Sequence, residues 1–511
     1  MEQFLEQVTA VNNATNSFVW VKIGLILLLG TGVIMTVALK FFQITRLPVW
    51  WGRTVGKMFS KTSHNKKESG SLSQFQSLCT ALAATIGTGN IAGVSAAICA
   101  GGPGAVFWMW VAAFFGMMTN YAENVLGIYF RRRNAEGEWS GGPMYYLQDG
   151  LGGYKGMKIP GKILAVIFAI FAILASFGIG NMGQINKITL NLESAFFSKL
   201  NAPVLFGEVT VIHLAIGVIL MIIAAVIIIG GVNRIANFAE KVVPVMALLY
   251  VIACLIICVM HIGEFGAIFS SIFRFAFGIR PIAGAVVGIA IKEVITQGCK
   301  RGVFSNEAGL GSSVMVHSNS NAKEPVKQGL WGIFEVFADT FIVCTMTAIV
   351  VLSSGAINLE TGAIAEGVNE ATLVAETFGK NFGPFGEYFV AIAMLLFAFT
   401  TVLGWSHYGS KAVEYLFGIT ATKVYKIIFT VMIISGAIMT SSLAWDISDT
   451  FNGLMIIPNL IGVLALTPLV VKITNSYIKR RVKNEDAEPV LSHFKEIEEE
   501  HAKMIKEQDV E

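Results

Sequence analysis

The stretch TIGTGN, Thr85 to Asn90, sits in the middle of an apolar run that extends from about residue 74 to 100. Two glycines between a threonine and an asparagine weaken a helix, and here they do so at the depth of a bilayer midplane. Irregular backbone at that depth is tolerated only where protein or a cavity satisfies its polar groups. A helix broken there frees N–H groups of positive partial charge on one half and carbonyls on the other. Such a pair of ends suits a zwitterion, its carboxylate on the amides and its ammonium, or a cation, on the carbonyls. The competing reading is glycine-mediated close packing of helices with no ligand.

The rest of the chain supports a membrane setting for this break. Of 511 residues 54% are apolar and only 14% charged, against roughly 25% charged for a soluble domain, and mean hydropathy is +0.65. Disordered proteins, nucleic-acid binders and ordinary cytosolic enzymes are excluded. Apolar runs of spanning length fall near 18–40, 74–100, 104–130, 161–190, 208–231, 237–261, 282–316, 326–353, 386–416, 425–443 and 450–472, here called spans 1 to 11. Lys292, Glu293, Lys300 and Arg301 interrupt span 7. The six cysteines lie in or beside apolar runs and form no CxxC, so they read as inert buried thiols. Glu2 and Glu6 precede a run too long for a cleavable signal, so span 1 is expected to stay.

Lysine and arginine bias sets the expected orientation. Lys40, Arg46, Arg53, Lys57, Lys61, Lys66 and Lys67 follow span 1, Arg131 to Arg133 follow span 3, and Lys472, Lys479, Arg480, Arg481 and Lys483 follow span 11. The segment 354–384 carries Lys380 against Glu360, Glu366, Glu370 and Glu376; Arg274 and Arg280 are the exceptions to the pattern. An outside N-terminus then puts every large basic cluster in the cytoplasm. The expected organisation is an extracellular N-terminus (1–17), an additional first span (18–40), a basic loop (41–73), a first repeat (74–261), an extracellular connection (262–281), a second repeat (282–472) and a solvated, charged cytoplasmic tail (473–511).

The repeats rest on one faint echo. Asn90-Ile-Ala-Gly93 and Asn306-Glu-Ala-Gly309 share N-x-A-G in spans that run in opposite directions. Paired broken helices in inverted repeats mark secondary transporters. RGVFSNEAGLGSS, Arg301 to Ser313, is thus a second candidate break, or alternatively a surface loop, and Phe304 can wall an apolar pocket. Glu307 there is a proton carrier or a partner for Arg301. In span 9, Thr400 and Thr401 supply neutral oxygens of the kind hard cations use, with Trp405 a turn further on; equally, threonines back-bond to their own helix. Asn181 and Gln184 in span 4 are either interhelical glue or ligand contacts. Glu123, Glu335 and Asp339 are intramembrane acids, functional or structurally paired. No HExxH or serine–histidine signature is present, and Gly156-MKIP-Gly161-Lys162 ends in Ile163 where a Walker loop needs Ser or Thr.

GGPGAVFWMWVAAFFG (Gly101 to Gly116), SGGPMYYL (Ser140 to Leu147), ALAATIGTGNIAGV (Ala81 to Val94) and RGVFSNEAGLGS (Arg301 to Ser312) resemble the alanine or glycine:cation symporter family, and the resemblance runs through all eleven spans. It implies an all-α polytopic membrane protein of eleven transmembrane helices, with a LeuT-like inverted repeat of five plus five and one additional N-terminal helix. It further implies sodium-driven import of small neutral amino acids across the cell membrane, with sodium co-transported and no enzyme chemistry. By the same resemblance, sodium is held by Ala83, Ile86, Phe397, Thr400 and Thr401. The substrate meets Thr85, Gly87, Thr88, Gly89, Asn90, Gln184, Phe304, Ser305 and Trp405, with its carboxylate near the amides of Thr88 and Gly89. Alanine and glycine are the expected substrates, with glutamine open; lipids are the only other partner expected, with no nucleic acid and no obligate protein. A proton-coupled carrier using Glu123, Glu307 or Asp339 is the alternative, and a non-transporting sensor a more distant one.

Overall fold

The computed structural model describes residues 2–58, 70–207, 209–278, 291–439 and 442–510. Lys61, Lys66, Lys67, Arg280 and the expected start of span 7 lie outside them. Apart from two short hairpins the described chain is helical. Nine of its helices are long and apolar enough to cross a membrane, or ten when the two arms of span 2 are taken together. The described part of span 7, Ile291–Asn306, is 16 residues long and falls short of that test.

Span 2 enters through a capping box, Ser73 with Gln76, and runs straight to Thr85. After Ile86 it resumes at Gly89, bent by 55°. Span 7 stops at Asn306, and Glu307, Gly309 and Gly311 all take positive φ before the short turn Val314–His317. A non-glycine residue at φ 56, as Glu307 is, marks a backbone held by its surroundings. Both breaks are buried. The second candidate break is therefore a buried end of span 7 inside the protein, not a surface loop.

Span 9, Pro384–Phe417, is the central strut, with its length from Val390 to Val413 mostly enclosed. Its N-terminal half packs on span 6 through Phe397 against Tyr250 (5.4 Å between ring centroids). Spans 5 and 6 turn Ile219, Ile222, Val226, Leu248, Leu249 and Ile252 outward. An apolar exterior of this kind is at home in lipid, where burying Leu or Ile against another helix gains little over a hydrocarbon tail.

Several boundaries differ from the expectation. Residues 2–17 are helical and continuous with span 1, whose apolar helix begins at Glu6, so the N-terminal segment is an extension of that helix. Span 4 reaches from Lys158 to Phe197 and span 10 lies at Ile419–Ala437, several residues earlier than expected. Span 11 ends at Ala465; Leu466 leaves the helix, and Pro468 at the start of the following helix, Thr467–Arg481, marks the corner. That helix is tied down by Arg480 and Arg481, which reach the buried Glu324 at 3.1 and 2.9 Å.

The tail is not a solvated extension. Helix Lys495–Val510 docks on the basic end of the molecule. The His493 N–H donates to the Tyr129 carbonyl (2.9 Å), and Leu491, His501 and Ile505 are buried. His501 faces the Trp139 ring at 5.9 Å between centroids, with Arg131 stacked on that same ring (3.9 Å) and Arg133 near Glu500 (3.7 Å). The pattern Ile497, His501, Ile505 puts these side chains on one face at i, i+4 spacing, which a glance at the charge-rich sequence conceals.

Burial pushes the His501 imidazole down to about 2, with the nearby Arg131, Lys323 and Arg133 adding repulsion. An undocked tail holds this histidine near 6.5. Above pH 6.5 both states are neutral and docking is insensitive to pH. Below it the undocked state binds a proton that the docked state refuses, so docking weakens by about 1.4 kcal/mol per pH unit, about 2 kcal/mol at pH 5. Hydrogen exchange of residues 495–506, corrected for intrinsic rates, is expected to quicken between pH 7 and 5 in the wild type and to stay flat in His501→Phe. Equal pH dependence in both proteins would refute the assignment.

Candidate functional site

At the break in span 2 the Gly87 N–H turns to Asn90 Oδ1 (2.9 Å). The Ala83 carbonyl, four residues back, is thereby released from the usual helical partner. Span 9 crosses at this point. Thr401 Oγ1 lies 3.1 Å from the Ala83 carbonyl, 3.5 Å from that of Ile86 and 3.1 Å from that of Phe397. Thr400 Oγ1 donates to the Phe397 carbonyl at 2.9 Å. One hydroxyl carries one proton and cannot serve three carbonyls at once. The surplus of converging lone pairs, with no charged residue among them, is a donor set that fits a hard monovalent cation. Of the five residues expected to hold sodium, Ala83, Ile86, Phe397 and Thr401 converge on one spot, while Thr400 bonds within its own helix beside them.

Close approach makes this possible. A Cβ at Gly404 would stand 2.6 Å from that of Ala84, and one at Gly87 would stand 2.4 Å from Thr401 Oγ1. The two helices meet here with glycine on each side, so the close packing of the competing reading is present at the break.

Beside the carbonyl cluster lies a small cavity walled by Ala84, Thr85, Gly87, Gly89, Ile179, Gln184, Phe304, Glu307, Leu310, Thr401, Trp405 and Asn452. Of the expected substrate contacts, Thr85, Gly87, Gly89, Gln184, Phe304 and Trp405 stand in this wall. Thr88, Asn90 and Ser305 do not. The Thr88 N–H donates to Gln184 Oε1 (3.2 Å). Asn90 and Ser305 both donate to Asp339 Oδ1, at 2.6 and 3.0 Å. They brace the wall by tying the two helix breaks to span 8. Phe304 touches the span 2 break: a Cβ at Gly89 would lie 3.0 Å from its ring.

The intramembrane acids separate by their partners. Asp339 takes donors from Asn90, Ser305 and Thr340. Glu335 faces His317 Nε2 at 2.9 Å and Asn120 Nδ2 at 3.2 Å. Glu123 is bonded by Asn459 of span 11 and, at 3.4 Å, by the Gly309 amide. These three cross-link helices. Glu307 alone of the four enters the cavity wall, and its carboxylate is met by Ser312 Oγ at 2.6 Å. In span 4, Asn181 donates to the Phe429 carbonyl (2.7 Å) and is glue, whereas Gln184 faces the cavity.

Ile179, Leu310 and Asn452 are wall residues that the sequence reading did not select. The apolar pair carry no signal apart from position. Asn452 did carry one, an amide inside a span, which is the signal that singled out Gln184.

The chain matches the sodium:alanine symporter family over residues 5–492. It is 44% identical over 477 residues to the sodium/alanine symporter AgcS of Methanococcus maripaludis, covering 93% of this chain and 98% of that protein. It is also 33% identical over 491 residues to a Bacillus subtilis protein named as a sodium/glutamine symporter, GlnT, covering 95% of this chain and 93% of that one. The amino-acid carrier protein AlsT of B. subtilis is 33% identical over 483 residues, with 94% of each chain covered. Matched along nearly its whole length, this multi-pass membrane protein is a transporter belonging to the sodium:alanine symporter family.

Proposed function

We propose that this protein imports alanine or glycine with sodium by alternating access. The observation that carries the reading is the convergence of the Ala83, Ile86 and Phe397 carbonyls on the Thr401 hydroxyl, a cation-suited cluster touching the cavity through Thr401 itself. Sodium is the transported cargo at that cluster, with Thr400 completing it. The substrate occupies the adjacent cavity: its carboxylate meets the Gly89 end of the break, with Gln184 yielding the Thr88 amide, and its ammonium lies toward Thr85 and Glu307. Phe304, Trp405, Ile179 and Leu310 crowd the remaining wall, which favours a side chain no larger than a methyl group over that of glutamine. Asn90 and Ser305 act behind the wall, holding both breaks in shape.

The architecture we assign is a LeuT-like pair of inverted five-helix repeats, spans 2–6 and 7–11, with span 1 additional and the C-terminus in the cytoplasm. Buried breaks at matching places in spans 2 and 7 support it, as does the basic character of the end where the tail docks. A zwitterion carries no net charge, so each sodium moves one charge inward. At ~100 mV this supplies about 2.3 kcal/mol, or roughly fiftyfold accumulation per ion before any sodium gradient.

Radiolabelled alanine uptake into proteoliposomes tests the reading. An inward sodium gradient at fixed pH is expected to drive accumulation, and replacement of sodium by choline to abolish it. Accumulation in choline after a pH step would instead make the protein a proton-coupled carrier.

A further inference from the structure

We propose that Asn452, on span 11, is a substrate-binding residue whose side-chain carbonyl accepts a hydrogen bond from the ammonium group of the transported amino acid. The proposal rests on the symport reading above and extends it to a helix for which neither the break motifs nor the family resemblance named a ligand.

Asn452 is 1% exposed and stands in the cavity wall, yet its Oδ1 has no hydrogen-bond partner among the described residues. Buried amides are almost always satisfied, and an orphan in a native protein points to a missing group. An acceptor needs a donor. A free amino acid brings an ammonium with N–H donors pointing in three directions, and Glu307 on the same wall offers further acceptor oxygens.

The placement of Asn452 is built, not incidental. Three residues earlier on span 11, Asp449 pairs with Lys300 of span 7 (2.6 Å) and accepts from Asn16 Nδ2 (2.9 Å). Lys300 in turn precedes Phe304 by four residues on its own helix. Residues three or four apart share a helix face. The ion pair therefore pins span 11 against span 7 one turn away from the cavity, and the next turn of each helix delivers Asn452 and Phe304 to its wall. The Nε1 of Trp20, 3.4 Å from the Asp449 carbonyl, fixes the same turn from the side of span 1.

The test compares alanine with N-methylalanine, which has one N–H donor fewer, as competitors of labelled alanine uptake into proteoliposomes under an inward sodium gradient. Asn452→Ala is expected to raise KM for alanine about tenfold to a hundredfold, the range for losing a hydrogen bond to a charged group, while sodium activation stays within threefold of wild type. Asn452→Asp, which keeps an acceptor at the same place, is expected to restore KM to within a fewfold. The penalty for N-methylation is expected to shrink in Asn452→Ala relative to wild type, since the partner of the lost donor is gone. An unchanged KM in Asn452→Ala, or an N-methylation penalty identical in both proteins, would overturn the proposal while leaving symport intact. Should Asn452→Ala fail to fold, as read by size-exclusion profile, the N-methylation penalty of Asn452→Asp decides: a carboxylate bonded to the ammonium must change it, and an unchanged value refutes the contact. Absence of sodium-driven alanine uptake in the wild type would instead remove the symport reading itself.

Discussion

Thr401→Ala is expected to abolish sodium-driven alanine uptake at ordinary sodium concentrations and to weaken apparent sodium affinity by at least tenfold. The hydroxyl is the hub of the carbonyl cluster, within 3.1 Å of Ala83 and Phe397 and 3.5 Å of Ile86. A monovalent cation leaves water only if oxygens of the protein replace its hydration shell. Removing the hub leaves carbonyls from two helices facing a gap that a methyl group cannot fill. Thr401→Ser retains the oxygen and is expected to stay within about threefold of wild type. Thr400→Ala is expected to cost less than Thr401→Ala, because Thr400 bonds within its own helix and does not bridge to span 2. A sodium titration of alanine uptake checks all three, and equal losses for Thr400→Ala and Thr401→Ala would argue against the cluster as the sodium site.

Gly404→Ala is expected to be as damaging by a different route. The added Cβ would meet Ala84 at its Cβ (2.6 Å), its Cα (3.0 Å) and its N (3.1 Å). Two of those atoms are backbone and cannot rotate aside. Relief requires moving span 9 away from the first arm of span 2, and overpacking of this kind costs about 1–3 kcal/mol. Ala84 lies between the Ala83 and Ile86 carbonyls, so the same displacement pulls them from Thr401. Loss of sodium-coupled uptake and a Tm several degrees below wild type are expected in detergent. Gly30→Ala is the control, since a Cβ there meets nothing within 4 Å, and it is expected to be silent. Wild-type sodium dependence in Gly404→Ala would show that the two helices do not meet as described.

Both variants illustrate what was readable in advance. The positions in the carbonyl cluster come from the family resemblance, whereas the break in span 2 is legible directly, because a helix break writes itself into sequence as glycine among polar residues. The cavity wall was harder. Ile179 and Leu310 look like any lipid-facing residue, and Asn452 lies in a span whose sequence contains no break. Thr88, Asn90 and Ser305, which the resemblance puts on the substrate, lie outside the cavity wall, since polar residues beside a break serve either the ligand or the break. The tail was misread for a related reason. Three apolar or neutral positions four residues apart are outweighed in any compositional reading by the charges between them.

The sequence by itself determined the membrane setting, the approximate spans and the interrupted helix of span 2. These follow from local rules: hydropathy sets spans, and glycine with polar neighbours sets breaks. Only the tertiary structure decided which carbonyls converge, which buried acids are spent on cross-linking helices, which amide in span 11 is left without a donor, and where the C-terminal helix docks. Those outcomes depend on contacts between residues hundreds of positions apart, such as Thr401 with Ala83 or Asn459 with Glu123, and no local pattern encodes the partner of a hydrogen bond made across the fold.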